Sequence, residues 1–201
     1  AVQLLNNGGG PLGIVAGLSE AYAERDGDVR IGDWEYLANG NFAIVGESRQ
    51  RPDLVDIYGG AEAKTHGVVM VVKADGTVVK AEQLLGQDPI EVQIWHGSAV
   101  TANGFAVRYS ANPGGAKLQR FDNGGTKVGA EIDLATLTGS PISAGGGRGE
   151  GIGFHGNGQD AYVLATAGTD GEGKLQIWVA VLNADGTKRW ARNLGDPASL
   201  P

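Results

Sequence analysis

Short apolar runs broken by glycine turns dominate this chain. Phe-Ala-Ile-Val at 42–45, Val-Val-Met-Val-Val at 68–72, Phe-Ala-Val at 105–107 and Tyr-Val-Leu at 162–164 are too short for helices and end in turn residues. Runs of this length between Gly, Asn and Asp clusters read as β-strands. The pattern is clearest at 174–195, where two runs flank Asp185-Gly186. Asp-Gly suits a two-residue type I′ hairpin, whose central positions both need positive φ. Equivalent turns fall at Asp75-Gly76 and Asn123-Gly124, and Thr follows each, at Thr77, Thr126 and Thr187.

A second anchor recurs as Asn39-Gly40, Asn103-Gly104 and Asn157-Gly158, each ahead of an apolar strand. The two anchors divide the chain into units of about 50–65 residues, a period expected of stacked repeats. The units run over about 28–87, 88–138 and 139–196, within one repeat domain spanning 1–201. The first is expected to hold strands at 29–38, 41–48, 67–73 and 77–84, and the second at 91–99, 104–110, 116–121 and 126–134. The third is expected to hold them at 151–155, 160–167, 174–182 and 187–194. Ala1–Asn7 matches Ala81–Gln87, the last strand of a unit, so the chain is expected to open on an extra strand whose partners lie elsewhere. Residues 1–27 then form a partial unit or an insertion, and Leu18–Arg25 reads either as a short helix capped by Ser19 or as a loop. Four antiparallel strands at this period are what a β-propeller blade requires, so the expected fold is all-β, a propeller-like array of about three blades. Rings usually close with four to eight blades. Three blades therefore imply a longer chain, a ring completed by several copies, or an N-terminal strand patching a neighbouring edge.

The blades resemble those of secreted bacterial β-propeller repeat proteins. The third unit carries the likeness through Ala161–Gly168, Val179–Trp190 and Leu194-Gly195. The first is similar through Gly40–Gly46 and Val72–Gly76, and Gln119–Glu131 of the second resembles blades of large bacterial surface proteins. The resemblance implies an exported protein, secreted or held at the cell surface, with binding or structural roles.

Composition narrows the chemistry. The chain has 201 residues with a formal net charge of −7 and no Cys, which removes disulfides and thiolate metal sites. Its acidity argues against nucleic acid as a partner, since phosphate binding needs clustered Lys and Arg. No apolar run approaches the ~20 residues of a membrane-spanning helix.

Candidate sites are sparse. Asp26, Asp28 and Asp33 offer carboxylates on what reads as a turn, the only hint of a Ca2+ site, and no other cofactor is expected. His96 and His155 occupy related places in two units; His66 is the third histidine. Gly145–Gly149 lacks the Lys-Ser/Thr ending of a phosphate loop. Trp178 and Trp190 read as packing between units, whereas Trp34 and Trp95 are candidates for stacking on sugar rings, with Glu35 and His96 beside them. The charged stretch 49–65 is a long excursion of the kind that carries binding. No residues form a convergent catalytic set. The expected function is a non-catalytic structural or adhesive protein that associates with itself or with the rest of a longer chain. A carbohydrate-binding module, or a piece of a larger propeller hydrolase or quinoprotein, is the alternative.

Overall fold

The computed structural model describes residues 2–5, 11–15, 28–49, 65–83, 91–93, 97–112, 115–139, 152–169 and 175–195. Among the described residues the protein is all-β apart from one short helix, and the strands form three large antiparallel sheets and one small one. Sheet 1 has the order β3 (Asp28–Tyr36), β4 (Phe42–Arg49), β5 (Thr65–Val72), β6 (Val78–Gln83). Sheet 2 has β9 (Gly104–Asn112), β10 (Gly115–Asp122) and β11 (Lys127–Asp133) in sequence; β7 (Glu91–Gln93) and β8 (Ser98–Thr101) both pair with the free edge of β9. Sheet 3 has the order β12 (Ile152–Gly156), β13 (Ala161–Thr169), β14 (Leu175–Asn183), β15 (Lys188–Asn193). The three sheets are the three sequence units, each an up-and-down meander.

β1 (Val2–Leu5) pairs with β2 (Pro11–Val15), so the opening strand has its partner a few residues downstream. This differs from the expected strand whose partners lie elsewhere, and a local hairpin costs far less loop closure than a distant edge. The stretch 18–25 lies outside the described residues.

The turns differ in type from the expectation. Gly76 N donates to Lys73 O and Lys73 N to Thr77 O, and the same pair of bonds closes 122–126 and 183–187. These are three-residue loops ending in a G1 bulge, in which only the last residue needs positive φ. That residue is Gly76, Gly125 or Gly186, at φ of 87°, 83° and 82°. In the second unit the turn glycine is therefore Gly125 rather than Gly124. Asp75 accepts from Thr77 N at 2.9 Å, and Asp185 accepts from the Thr187 hydroxyl at 2.6 Å and from Thr187 N at 2.9 Å; these bonds hold both carboxyls below their ordinary range.

Register sorts the side chains into faces, since opposed residues in a ladder share one. In sheet 1, Glu35, Ala43, Val71 and Lys80 form one row and Asp33, Val45 and Val69 the next. This face packs on Phe105, Val107, Tyr109 and Phe121 of sheet 2, forming the first core cluster. The other face of sheet 2, carrying Ala99, Ala106 and Leu118, packs on Phe154, Tyr162, Leu164, Ala180 and Leu182 of sheet 3. At the inner edge β8 lies between β3 and β12, and Gly156 of β12 abuts the Val100 backbone. At the outer edge the gap is filled by α1 (Leu134–Thr138), whose N-cap Asp133 accepts from Thr136 N at 2.8 Å and whose C-cap is Gly139. The expected strand 126–134 thus gives way to helix at its end. Leu134 and Leu137 of that helix join the second cluster.

A repeating seam joins the sheets. The hairpin loop of each later sheet sits on the last two strands of the sheet before it. A methyl group at Gly125 would lie 2.8 Å from Val71 Cγ2, and one at Gly186 would meet Ile132 and come within 3.3 Å of Arg120 Cδ. The carbonyl of the first loop residue accepts from the earlier sheet: Asn123 O from Asn39 Nδ2 at 2.9 Å, and Ala184 O from Arg120 Nη1 at 3.4 Å.

Candidate functional site

Two features meet on strand β3. Alternation along Asp33-Trp34-Glu35-Tyr36 sends the carboxylates into the seam with sheet 2 and both aromatic rings to the opposite face. Trp34 and Tyr36 are 63% and 62% exposed, large values for rings that a strand can bury. Tyr36 leans on Phe42, its opposed residue on β4, with ring centroids 5.2 Å apart. On the same face Ile44 and Met70 are buried, so the open aromatic surface is confined to the inner edge.

The carboxylates have different partners. Asp33 accepts from Trp34 N through Oδ1 and from Ser98 N through Oδ2, both at 2.9 Å. It thereby clamps β3 to β8, a contact 65 residues apart in the chain. The Ser98 hydroxyl is buried on the face toward sheet 1, without a hydrogen-bond partner among the described residues. Glu35 stands in the row of buried Ala43 and Val71, and the resulting desolvation, reinforced by the charge of Asp33, raises its pKa from 4.5 to about 7. The seam therefore holds one carboxylate bound by backbone donors, one carboxyl that titrates near neutrality and one buried hydroxyl.

Glu35 makes the fold pH-sensitive. Its pKa is higher in the folded state than in the unfolded chain, so the native protein holds the proton more tightly between pH 4.5 and about 7. The stabilisation is complete below 4.5 and is lost as pH rises through about 7. Solvent screening reduces the nominal effect of this part-buried group to about 1 kcal/mol. The melting temperature is expected to fall between pH 5 and pH 8, and Glu35→Gln to flatten that fall. Identical pH profiles for the two proteins would refute the assignment.

The structure describes only some of the sequence candidates. Asp28 and Asp33 lie on one strand, not on a turn, and five residues of strand separate their backbones by about 16 Å. The structure thus does not bring those two together on one cation, and Asp26 lies outside the described residues. No cluster of three metal-ligating side chains occurs among the described residues. Trp95, His96 and residues 50–64 also lie outside them, and His66 is placed only by its backbone on β5. His155 is exposed on β12, opposite Val163. Trp190 was expected in the packing between units, yet it is 44% exposed on the outer face of sheet 3, with the Arg192 guanidinium 5.9 Å from its ring. That face has no further sheet on it among the described residues. Trp178 is the less exposed of the pair and points to the opposite side of β14. Tyr36 is the residue sequence reasoning missed. Its signal was the spacing of two from Trp34, which on a strand means a shared face.

No helix among the described residues is long and apolar enough to cross a membrane. No family model and no curated protein matches the sequence. A solved structure described as a crystal structure of the eukaryotic initiation factor aligns over 81% of this chain and 55% of that chain, at 11% identity and a TM-score of 0.18. The chain thus spans about half the length of that protein, and overlap at this level says nothing about fold or function.

Proposed function

We propose that this chain is a non-catalytic β-propeller-type scaffold, structural or adhesive in role and working outside the cell or at its surface. One observation carries the reading: three like sheets stack face to face in chain order, with their inner strands together and the same seam repeated between them. Repeats arranged this way offer extended surface rather than a closed reaction cavity. The one titratable group raised toward neutrality among the described residues lies beside a carboxylate already occupied by two backbone donors. An experimental structure with β3, β8 and β12 around a common axis supports the radial arrangement, and a flat sandwich removes it. Hydrolase and quinone-linked dehydrogenase substrates are expected to give no turnover. Turnover abolished by Glu35→Gln would overturn the non-catalytic reading.

The Trp34–Tyr36 edge favours a second reading, carbohydrate binding. Two exposed rings on one face, with Tyr36 steadied by Phe42, form a platform of the type that stacks on sugar rings. Trp34→Ala and Tyr36→Ala are each expected to weaken glycan-array binding by at least tenfold at unchanged melting temperature. Silence of the wild-type protein on the array, or equal binding by both variants, removes this reading.

A further inference from the structure

The repeat leaves a seat free on sheet 3 at one end of the stack and a hairpin loop free on sheet 1 at the other, while the outer face of sheet 1 beside that loop already has Ile44, Met70 and Val72 buried. Three rows of opposed residues are equivalent in the three sheets: Glu35–Ala43–Val71–Lys80, Ala99–Ala106–Arg120–Val128, and His155–Val163–Val181–Trp190. The first two rows are covered by the next sheet, whose hairpin loop lies over Val71 and Lys80 at Gly125 and over Arg120 at Gly186. Ala43 and Ala106, in the core clusters between the sheets, are 0% exposed, whereas Val163, their equivalent in sheet 3, is 44% exposed. Ile177 and Trp190 are exposed on that same face. The three hairpin loops are equivalent too. Gly125 and Gly186 are buried against the preceding sheet, while 73–77 of sheet 1 is exposed except for a part-exposed Gly76. The chain thus carries an open seat at Val181 and Trp190 and an unseated loop at Ala74–Gly76, built on the same pattern as two seams it already makes.

We infer that a second copy of this chain occupies the outer face of sheet 3, placing its Ala74–Gly76 loop on Val181 and Trp190. The partner is a like chain because the seat and the loop are halves of one repeated interface. Loop shape, glycine position and carbonyl acceptor are common to all three loops. Ala74 O stands where Asn123 O and Ala184 O receive their donors, and Gly76 stands where Gly125 approaches Val71. The contact is heterologous, front of one copy to back of the next, so it closes into a ring or extends into a filament. It rests on the proposed scaffold role and supplies the partner for it.

The absence of cysteine makes the geometry directly testable. At the internal seam a Cβ on Gly125 would lie 3.5 Å from Lys80 Cβ, at the short end of the ~3.5–4.5 Å range for a disulfide. The equivalent positions between copies are 76 and 190. A Gly76→Cys chain mixed with a Trp190→Cys chain under mild oxidation is expected to give a mixed disulfide-linked dimer in preference to either symmetric one. Light scattering at ~100 μM, a concentration suited to weak interfaces, is expected to give the wild type at least twice the 20.7 kDa chain mass. Val163→Glu, at a position already exposed, is expected to return it to a single chain. Symmetric linkage, a monomeric wild type, or an assembly indifferent to Val163→Glu each overturns the inference. A monomer that still adheres to surfaces or glycans overturns this assembly alone and leaves the scaffold role standing.

Discussion

Gly156→Ala is expected to destabilise the protein by about 3 kcal/mol, which for a chain of this size lowers the melting temperature by about 10 °C. Gly156 lies on β12 where it meets β8, and an added Cβ would collide with Val100 O and come within 2.7 Å of Val100 N and C. Backbone atoms cannot rotate aside as a side chain does, so sheets 2 and 3 would have to part at their inner edge. That movement strains two inter-sheet bonds, Ala102 N to Gln159 O at 2.9 Å and Gly158 N to Val100 O at 3.2 Å. Each contributes about 1 kcal/mol, so the collision cannot be relieved without further loss. Gly153 is the internal control, because it lies on the same strand with nothing within 4 Å of its Cβ direction. Gly153→Ala is expected to change stability by no more than about 0.5 kcal/mol. Equal effects in thermal melts would mean that β12 and β8 are not in contact.

Phe105→Ala is expected to cost about 3–5 kcal/mol in urea unfolding, the usual range for emptying a packed aromatic site. Phe105 is fully buried between sheets 1 and 2 and stacks on Phe121 with ring centroids 5.0 Å apart and planes 12° from parallel. Its environment includes Ala43, Val45 and Val71 from the opposing sheet, so the cavity would open in the seam itself. Phe105→Leu keeps most of the volume and is expected to cost about 1.5 kcal/mol or less. The equivalent residue of sheet 1, Phe42, is only part-buried, and Phe42→Ala is expected to cost less than half as much as Phe105→Ala. A loss below about 1 kcal/mol at Phe105 is what one deleted methylene would give, and it would show that the sheets do not pack here.

Local chemistry made most strands readable in the sequence. β4 and β9 are apolar on successive positions because both faces of each are covered, β13 keeps the same apolar run although its Val163 is exposed, and a glycine turn follows or precedes each. The strand expected at 91–99 was less readable. Four residues separate Gln93 from Ser98, while their partners Ser110 and Val107 on β9 are separated by two, so the edge carries two extra residues and splits into β7 and β8. A bulge leaves the apolar content of a segment unchanged and is therefore hidden in composition. The turn type escaped for a similar reason, since Asp-Gly suits both a two-residue loop and a three-residue loop ending in a bulge. The helix at 134–138 did have a signal, Asp133 as cap and Gly139 as stop, but its five residues are too few to show a period. At the candidate site the exposure of Trp34 agrees with the reading from sequence. The role of Asp33 was not accessible there, because its partner Ser98 belongs to another unit and only folding makes them neighbours.

The bond between successive sheets ends on a peptide oxygen, Asn123 O in one case and Ala184 O in the other. A main-chain acceptor is present whatever side chain is attached to it. Stacking of this kind consequently tolerates wide divergence in the loop, provided that its glycine and a side-chain donor on the sheet before it, such as Asn39 or Arg120, are kept. Such a chain can lengthen by duplicating a unit and then vary its loop side chains, because the receiving half of each inter-sheet bond is written in the backbone.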